Sequence, residues 1–120
     1  MGILYGPGKI ITDNLVLCLD AANTKSYPGT GTTWSDLSGN GNNATLSGTG
    51  FSTDNGGNIS FNGNNGVYAS FTPGSANTFG TSDYSIEIWI NRYSGSFIYD
   101  TRSEFSGDHP YIMIDDNRFA

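Results

Sequence analysis

Cysteine is nearly absent. Cys18 is the single one in 120 residues, so no intrachain disulfide can form. Basic charge is scarce too, with 5 Lys and Arg against 11 Asp and Glu and a net charge of −6. Those few cations are scattered between Lys9 and Arg118, without the clusters needed to neutralise phosphates. Nucleic acid is therefore not an expected partner. No apolar run approaches the length of a membrane span, so no membrane insertion is expected. The segment Met1 to Gly8 lacks both a basic n-region and a long apolar h-region, and reads as no signal peptide. These gaps together predict a protein made in a cytoplasm and not exported by a classical signal. There is no G-X-Y period, despite 17 glycines, which argues against a collagen-like helix.

What the chain does hold is aromatic residues, 13%, on a modest hydrophobic content of 36%. A disordered chain would lack those rings, so the composition predicts one folded domain with a small core and many loops. Alternating apolar residues mark the strands. Leu15 to Leu19 suits a strand covered on both faces, with Cys18 a buried, inert thiol. Short strands follow at Ile59 to Phe61 and at Val67 to Phe71, the latter with Val67, Ala69 and Phe71 on one face. The clearest pattern is Tyr84 to Asn91: Tyr84, Ile86, Ile88 and Ile90 on one side, Ser85, Glu87, Trp89 and Asn91 on the other. Ser96 to Thr101 and Tyr111 to Ile114 complete the set. Between them lie turn signals at Asn40-Gly41, Asn55-Gly56-Gly57, Asn62-Gly63, Asn65-Gly66, Pro73-Gly74, Ser94-Gly95 and Ser106-Gly107. The best helical candidate is a turn at Asp20 to Asn23. The predicted fold class is all-β, an antiparallel β-sandwich or jelly roll over residues 10–120, preceded by a Gly-rich arm, residues 1–9, suited to lie across a neighbour.

Three stretches carry a family resemblance: Leu15 to Asn23 with Ser26-Tyr27-Pro28-Gly29; Thr33 to Leu46; and Ile59 to Gly63 followed by Tyr84 to Ile90. The specific part is Trp34-Ser35-Asp36-Leu37-Ser38-Gly39-Asn40-Gly41-Asn42-Asn43. Together they resemble the amino-terminal half of a concanavalin A-like, laminin-G-like jelly roll, in versions found in tailed-phage and cyanophage structural proteins. Where that family often has Phe-Asp-Gly and then Asp-Asp-Tyr, this chain has Phe61-Asn62-Gly63-Asn64-Asn65-Gly66-Val67-Tyr68, with amides in place of carboxylates. The family's sandwich is usually longer. The resemblance thus implies an abbreviated fold, one completed by a partner chain, or a fragment of a longer polypeptide.

Chemistry-bearing residues are sparse. Glycanases of concanavalin A-like fold place alternate acids on one strand. Here Glu87 stands with Trp89 and Asn91 where its partners would be, and one carboxylate cannot serve as nucleophile and acid together. Glu104 has no sequence link to it. His109, beside Asp108 in a turn-like stretch, reads as a solvated loop residue. No Gly-x-Ser-x-Gly elbow or P-loop occurs. No enzymatic activity is expected.

Two binding candidates remain. Asp36, Ser38, Asn40 and Asn42 recur at alternate positions around Gly41, like the first half of a calcium loop, but Ser47 stands where a bidentate Glu would close it. The other reading is a turn in which Asp36 and the asparagines bond to backbone groups. Trp89, Glu87 and Asn91 share a face that can stack a sugar ring and hydrogen-bond its hydroxyls, or pack on another sheet or subunit. Trp34, beside Leu37, reads as a core plug. The functional expectation is a non-catalytic virion structural component, such as a capsid decoration, cement or tail-fibre-associated protein, bound to other virion proteins or to copies of itself. The alternative is a carbohydrate-binding module that recognises surface glycans.

Overall fold

The computed structural model describes residues 12–71, 83–91, 97–100 and 111–114, the last two segments as backbone only. These residues fall into two compact units, one within Met1–Gly74 and one within Ser75–Ala120. The predicted arm, His109, Glu104 and the turns at Pro73-Gly74, Ser94-Gly95 and Ser106-Gly107 lie outside the described residues.

In the first unit, β1 (Thr33–Trp34), β2 (Ala44–Ser47) and β5 (Tyr68–Phe71) form an antiparallel sheet in the order β1-β2-β5. Ala44 pairs with both Trp34 and Phe71, and Leu46 pairs with Ala69. Directly opposed residues share a face. This register therefore gathers Trp34, Ala44, Leu46, Ala69 and Phe71 on one side. Burial follows: Ala44 and Leu46 are buried, while the intervening Thr45, Tyr68 and Ser70 are exposed. The face expected for Val67, Ala69 and Phe71 is the one that turns inward. The sequence reading did not assign β2, because Ala44-Thr45-Leu46-Ser47 follows an Asn-Gly-rich loop and carries little hydrophobic weight.

The second ladder pairs β3 (Gly50–Ser52) with β4 (Asn58–Ser60), with Phe51 opposite Ile59. They are joined through a 3₁₀ turn at Asp54–Gly56. Asn55 there adopts φ 56° and Gly56 φ 94°, as an Asn-Gly turn allows. Gly57 (φ 134°) lies against Ala21: a Cβ at Gly57 would sit 2.6 Å from the Ala21 carbonyl oxygen. Tyr27 meets Phe51 edge-on at 5.3 Å, and its hydroxyl donates to the Gly31 carbonyl at 2.9 Å.

Leu15 to Leu19 is not a strand. Its backbone groups bond to a loop instead of a ladder, as described below. Asp20 to Asn23 forms a turn, closed by Asn23 N–H on the Asp20 carbonyl (3.2 Å), with Ala22 N–H on Asp20 Oδ1 (2.9 Å).

In the second unit, β6 (Phe97–Asp100) and β7 (Tyr111–Ile114) pair antiparallel, Phe97 opposite Ile114, where strands were expected. The clearest expected strand, Tyr84 to Asn91, is not one: residues 83–91 carry no regular structure. Alternation alone does not make a strand, since the ladder bonds must come from a neighbour. The described residues are all-β, with three antiparallel sheets and one 3₁₀ turn. Among the described residues, no helix is long and apolar enough to cross a membrane.

Candidate functional site

The loop after β1 is built around one carboxylate. Asp36 Oδ1 accepts from the backbone N–H of Cys18 and of Ser38, each at 2.9 Å. Its Oδ2 accepts from the Ser38 hydroxyl at 2.7 Å and from Asn42 N–H at 3.0 Å. The Asp36 N–H donates in turn to Asn43 Oδ1 at 2.9 Å. Burial alone would raise the Asp36 pKa, but the Ser38 hydroxyl and the N–H groups of Cys18, Ser38 and Asn42 outweigh it, and the carboxyl is held below its ordinary value.

The asparagines point the other way, as donors. Asn40 Nδ2 donates to the carbonyls of Leu15 (2.8 Å) and Val16 (3.2 Å) and to Ser38 Oγ (3.0 Å). Asn42, buried, donates through Nδ2 to Val16 O at 2.9 Å. The result is a clasp: the loop's side chains hold the segment Leu15 to Cys18 where strand bonds would otherwise serve it. One backbone bond assists, from Leu37 N–H to Cys18 O at 2.8 Å.

The structure thus brings Asp36, Ser38, Asn40 and Asn42 together, but as a donor set that does not fit calcium. Calcium wants several free oxygens, mostly carboxylate. Here the single carboxylate has both oxygens occupied by N–H and O–H donors, and Asn40 and Asn42 turn their amide nitrogens to carbonyls. Among the described residues, no group of three or more His, Cys, Asp or Glu side chains gathers to hold a metal. Cys18 is half-buried, and burial first, then the nearby Asp20 and Asp36 charges, raise its thiol pKa, which favours the protonated form.

Two contributors escaped the sequence reading. Ser26, fully buried, donates its hydroxyl to Ser35 O (2.6 Å) and accepts Asp20 N–H (3.1 Å), while Ser35 N–H returns a bond to Ser26 O (2.7 Å). Asn43 is the other. A lone serine before Tyr27-Pro28-Gly29 gives no signal of burial by pattern.

The second candidate lies in the other unit. Trp89 Nε1 donates to Glu87 Oε1 at 2.9 Å, so side chains two residues apart meet as on one side of an extended backbone. Asn91, expected beside them, is exposed. Trp89 is 73% exposed, and Ile88 and Ile90 are exposed as well. The segment thus exposes an indole beside one carboxylate, already engaged by it, and aliphatic side chains at the alternate positions Ile88 and Ile90. Comparison of the chain with protein-family models, with curated proteins and with solved structures finds no match.

Proposed function

We propose that this chain is a non-catalytic structural protein that works by protein–protein assembly. The observation that carries the reading is the segment Ile88-Trp89-Ile90, exposed and in no ladder among the described residues. Consecutive large apolar residues left in water favour a docking role. The described part of its unit holds one two-stranded ladder, and such hairpins are marginal alone. Further strands supplied by a neighbouring copy of the chain would bury the segment and extend that unit, in the manner of strand addition. The concanavalin A-like resemblance supplies the finer reading: a jelly-roll sandwich completed between chains, in a virion component such as a capsid decoration or tail-fibre-associated protein. The test is sedimentation of the wild-type chain against Ile88→Glu and Trp89→Ala. Concentration-dependent association that these changes abolish supports the reading, and a wild type that stays monomeric at every concentration refutes it.

One observation favours carbohydrate binding as a second reading. Glu87 fixes the Trp89 indole by its N–H while the ring stays open, which is how a platform for a sugar face is held. Glycan-array binding that is lost in a folded Trp89→Ala chain supports it. The absence of binding to any glycan by the folded wild type removes it.

A further inference from the structure

Four Asn-Gly pairs occur among the described residues: Asn40-Gly41, Asn55-Gly56, Asn62-Gly63 and Asn65-Gly66. Each is a chemical liability, because glycine leaves its own N–H unshielded toward the preceding side chain. The fold treats the four differently. At Asn40 the amide nitrogen is pinned by three acceptors, Leu15 O, Val16 O and Ser38 Oγ. At Asn55 the attacking group is engaged, since Gly56 N–H donates to Thr53 O at 3.2 Å. Asn65 is the leading central residue of an exposed turn closed by Val67 N–H on Asn64 O at 3.1 Å, with Gly66 at φ 88°.

Asn62 is set up in the opposite sense. Its Oδ1 accepts Asn64 N–H at 3.0 Å, an Asx turn that folds the side chain over the peptide containing Gly63 N. That hydrogen bond also draws charge from Cγ and stabilises the oxyanion that forms when a nucleophile adds there. Gly63 (φ 76°), like Gly41 and Gly66, has no atom beyond its chain neighbours within 4 Å of where a Cβ would stand, and the whole stretch Phe61 to Gly66 is open to water.

We propose that Asn62 is a self-modification site, where the fold promotes deamidation that it suppresses at Asn40 and Asn55. Gly63 N, after giving its proton to hydroxide, bonds to Asn62 Cγ. The Cγ–Nδ2 bond breaks, and Nδ2 leaves as ammonia with a proton from water. Water then opens the resulting succinimide at either carbonyl, giving aspartate or isoaspartate. The net change is one water consumed and one ammonia released, with no redox step. The aspartate product keeps an acceptor for Asn64 N–H and adds a negative charge to the link between β4 and β5. The isoaspartate product lengthens that link by one backbone atom.

The experiment is peptide mapping by mass spectrometry after timed incubation of the full chain in mildly alkaline buffer, folded and in urea. In the folded chain Asn62 converts several-fold faster than Asn40 and Asn55 and ahead of Asn65; in urea the four rates converge. Asn64→Pro, which removes the N–H donor, slows Asn62 to the rate of Asn65. Equal folded rates at Asn62 and Asn40, the same ranking in urea as in the fold, or an unchanged Asn62 rate in Asn64→Pro overturns the proposal.

Discussion

Asp36 shows how much one side chain can organise. Its carboxylate accepts four hydrogen bonds, reaching from Cys18 to Asn42. Asp36→Ala leaves Cys18 N–H and Asn42 N–H without their acceptor, and water can reach this half-exposed site to replace part of the loss. The expected cost is about 1–2 kcal/mol, read as a lower denaturation midpoint with unchanged slope. The pH dependence follows from the same contacts. Because the folded carboxyl ionises below its ordinary value, its contribution is complete above the ordinary aspartate pKa and is lost as pH falls through the lower folded value. Wild type therefore loses stability on acidification in that window, and the gap between it and Asp36→Ala closes there. A gap that stays constant across that window would show that the bonds do not distinguish the charged form. Cys18 is the companion case. Its raised pKa predicts that alkylation in the folded chain runs slower than in the unfolded one at neutral pH, measured by mass gain over time.

Strands β2 and β5 carry the first unit, and their register sets the core. Leu46, opposite Ala69 and 4% exposed, is the largest aliphatic side chain buried in that sheet. Leu46→Ala is expected to cost about 2–4 kcal/mol in denaturant titration. Gly57→Ala tests the turn between β3 and β4: at φ 134° and 2.6 Å from Ala21 O, the added methyl forces the backbone aside, a cost of about 1–3 kcal/mol. These elements also show where sequence pattern is sufficient. Val67 to Phe71, Ser96 to Thr101 and Tyr111 to Ile114 were legible as short apolar stretches set off by turn signals, and each falls within a residue of an observed strand. Leu15 to Leu19, apolar throughout, and Tyr84 to Asn91, with the clearest alternation, form no ladder. Periodicity reports which side chains want burial, but it does not say who supplies the hydrogen bonds. For Leu15 to Cys18 the answer is the side chains of Ser38, Asn40 and Asn42, and those polar residues were visible in the sequence as a group while their target was not.

Assembly through Ile88-Trp89-Ile90, as proposed, would bring together copies that each carry a net charge of −6. Like-charged copies would repel at long range while the apolar segment attracts at contact. Salt screens the first and leaves the second, so association is expected to strengthen as ionic strength rises. Ion-pair docking would give the reverse trend. Trp89 and Glu87 were legible as a shared face, and they do meet. The most direct measurement is sedimentation equilibrium on the wild type and on the double variant Ile88→Glu, Ile90→Glu, across a concentration series at low and high salt. Assembly through this segment predicts a concentration-dependent, salt-strengthened oligomer in the wild type and a monomer in a double variant with unchanged circular dichroism. A wild type that remains monomeric throughout, or a folded double variant that associates as strongly, would contradict it.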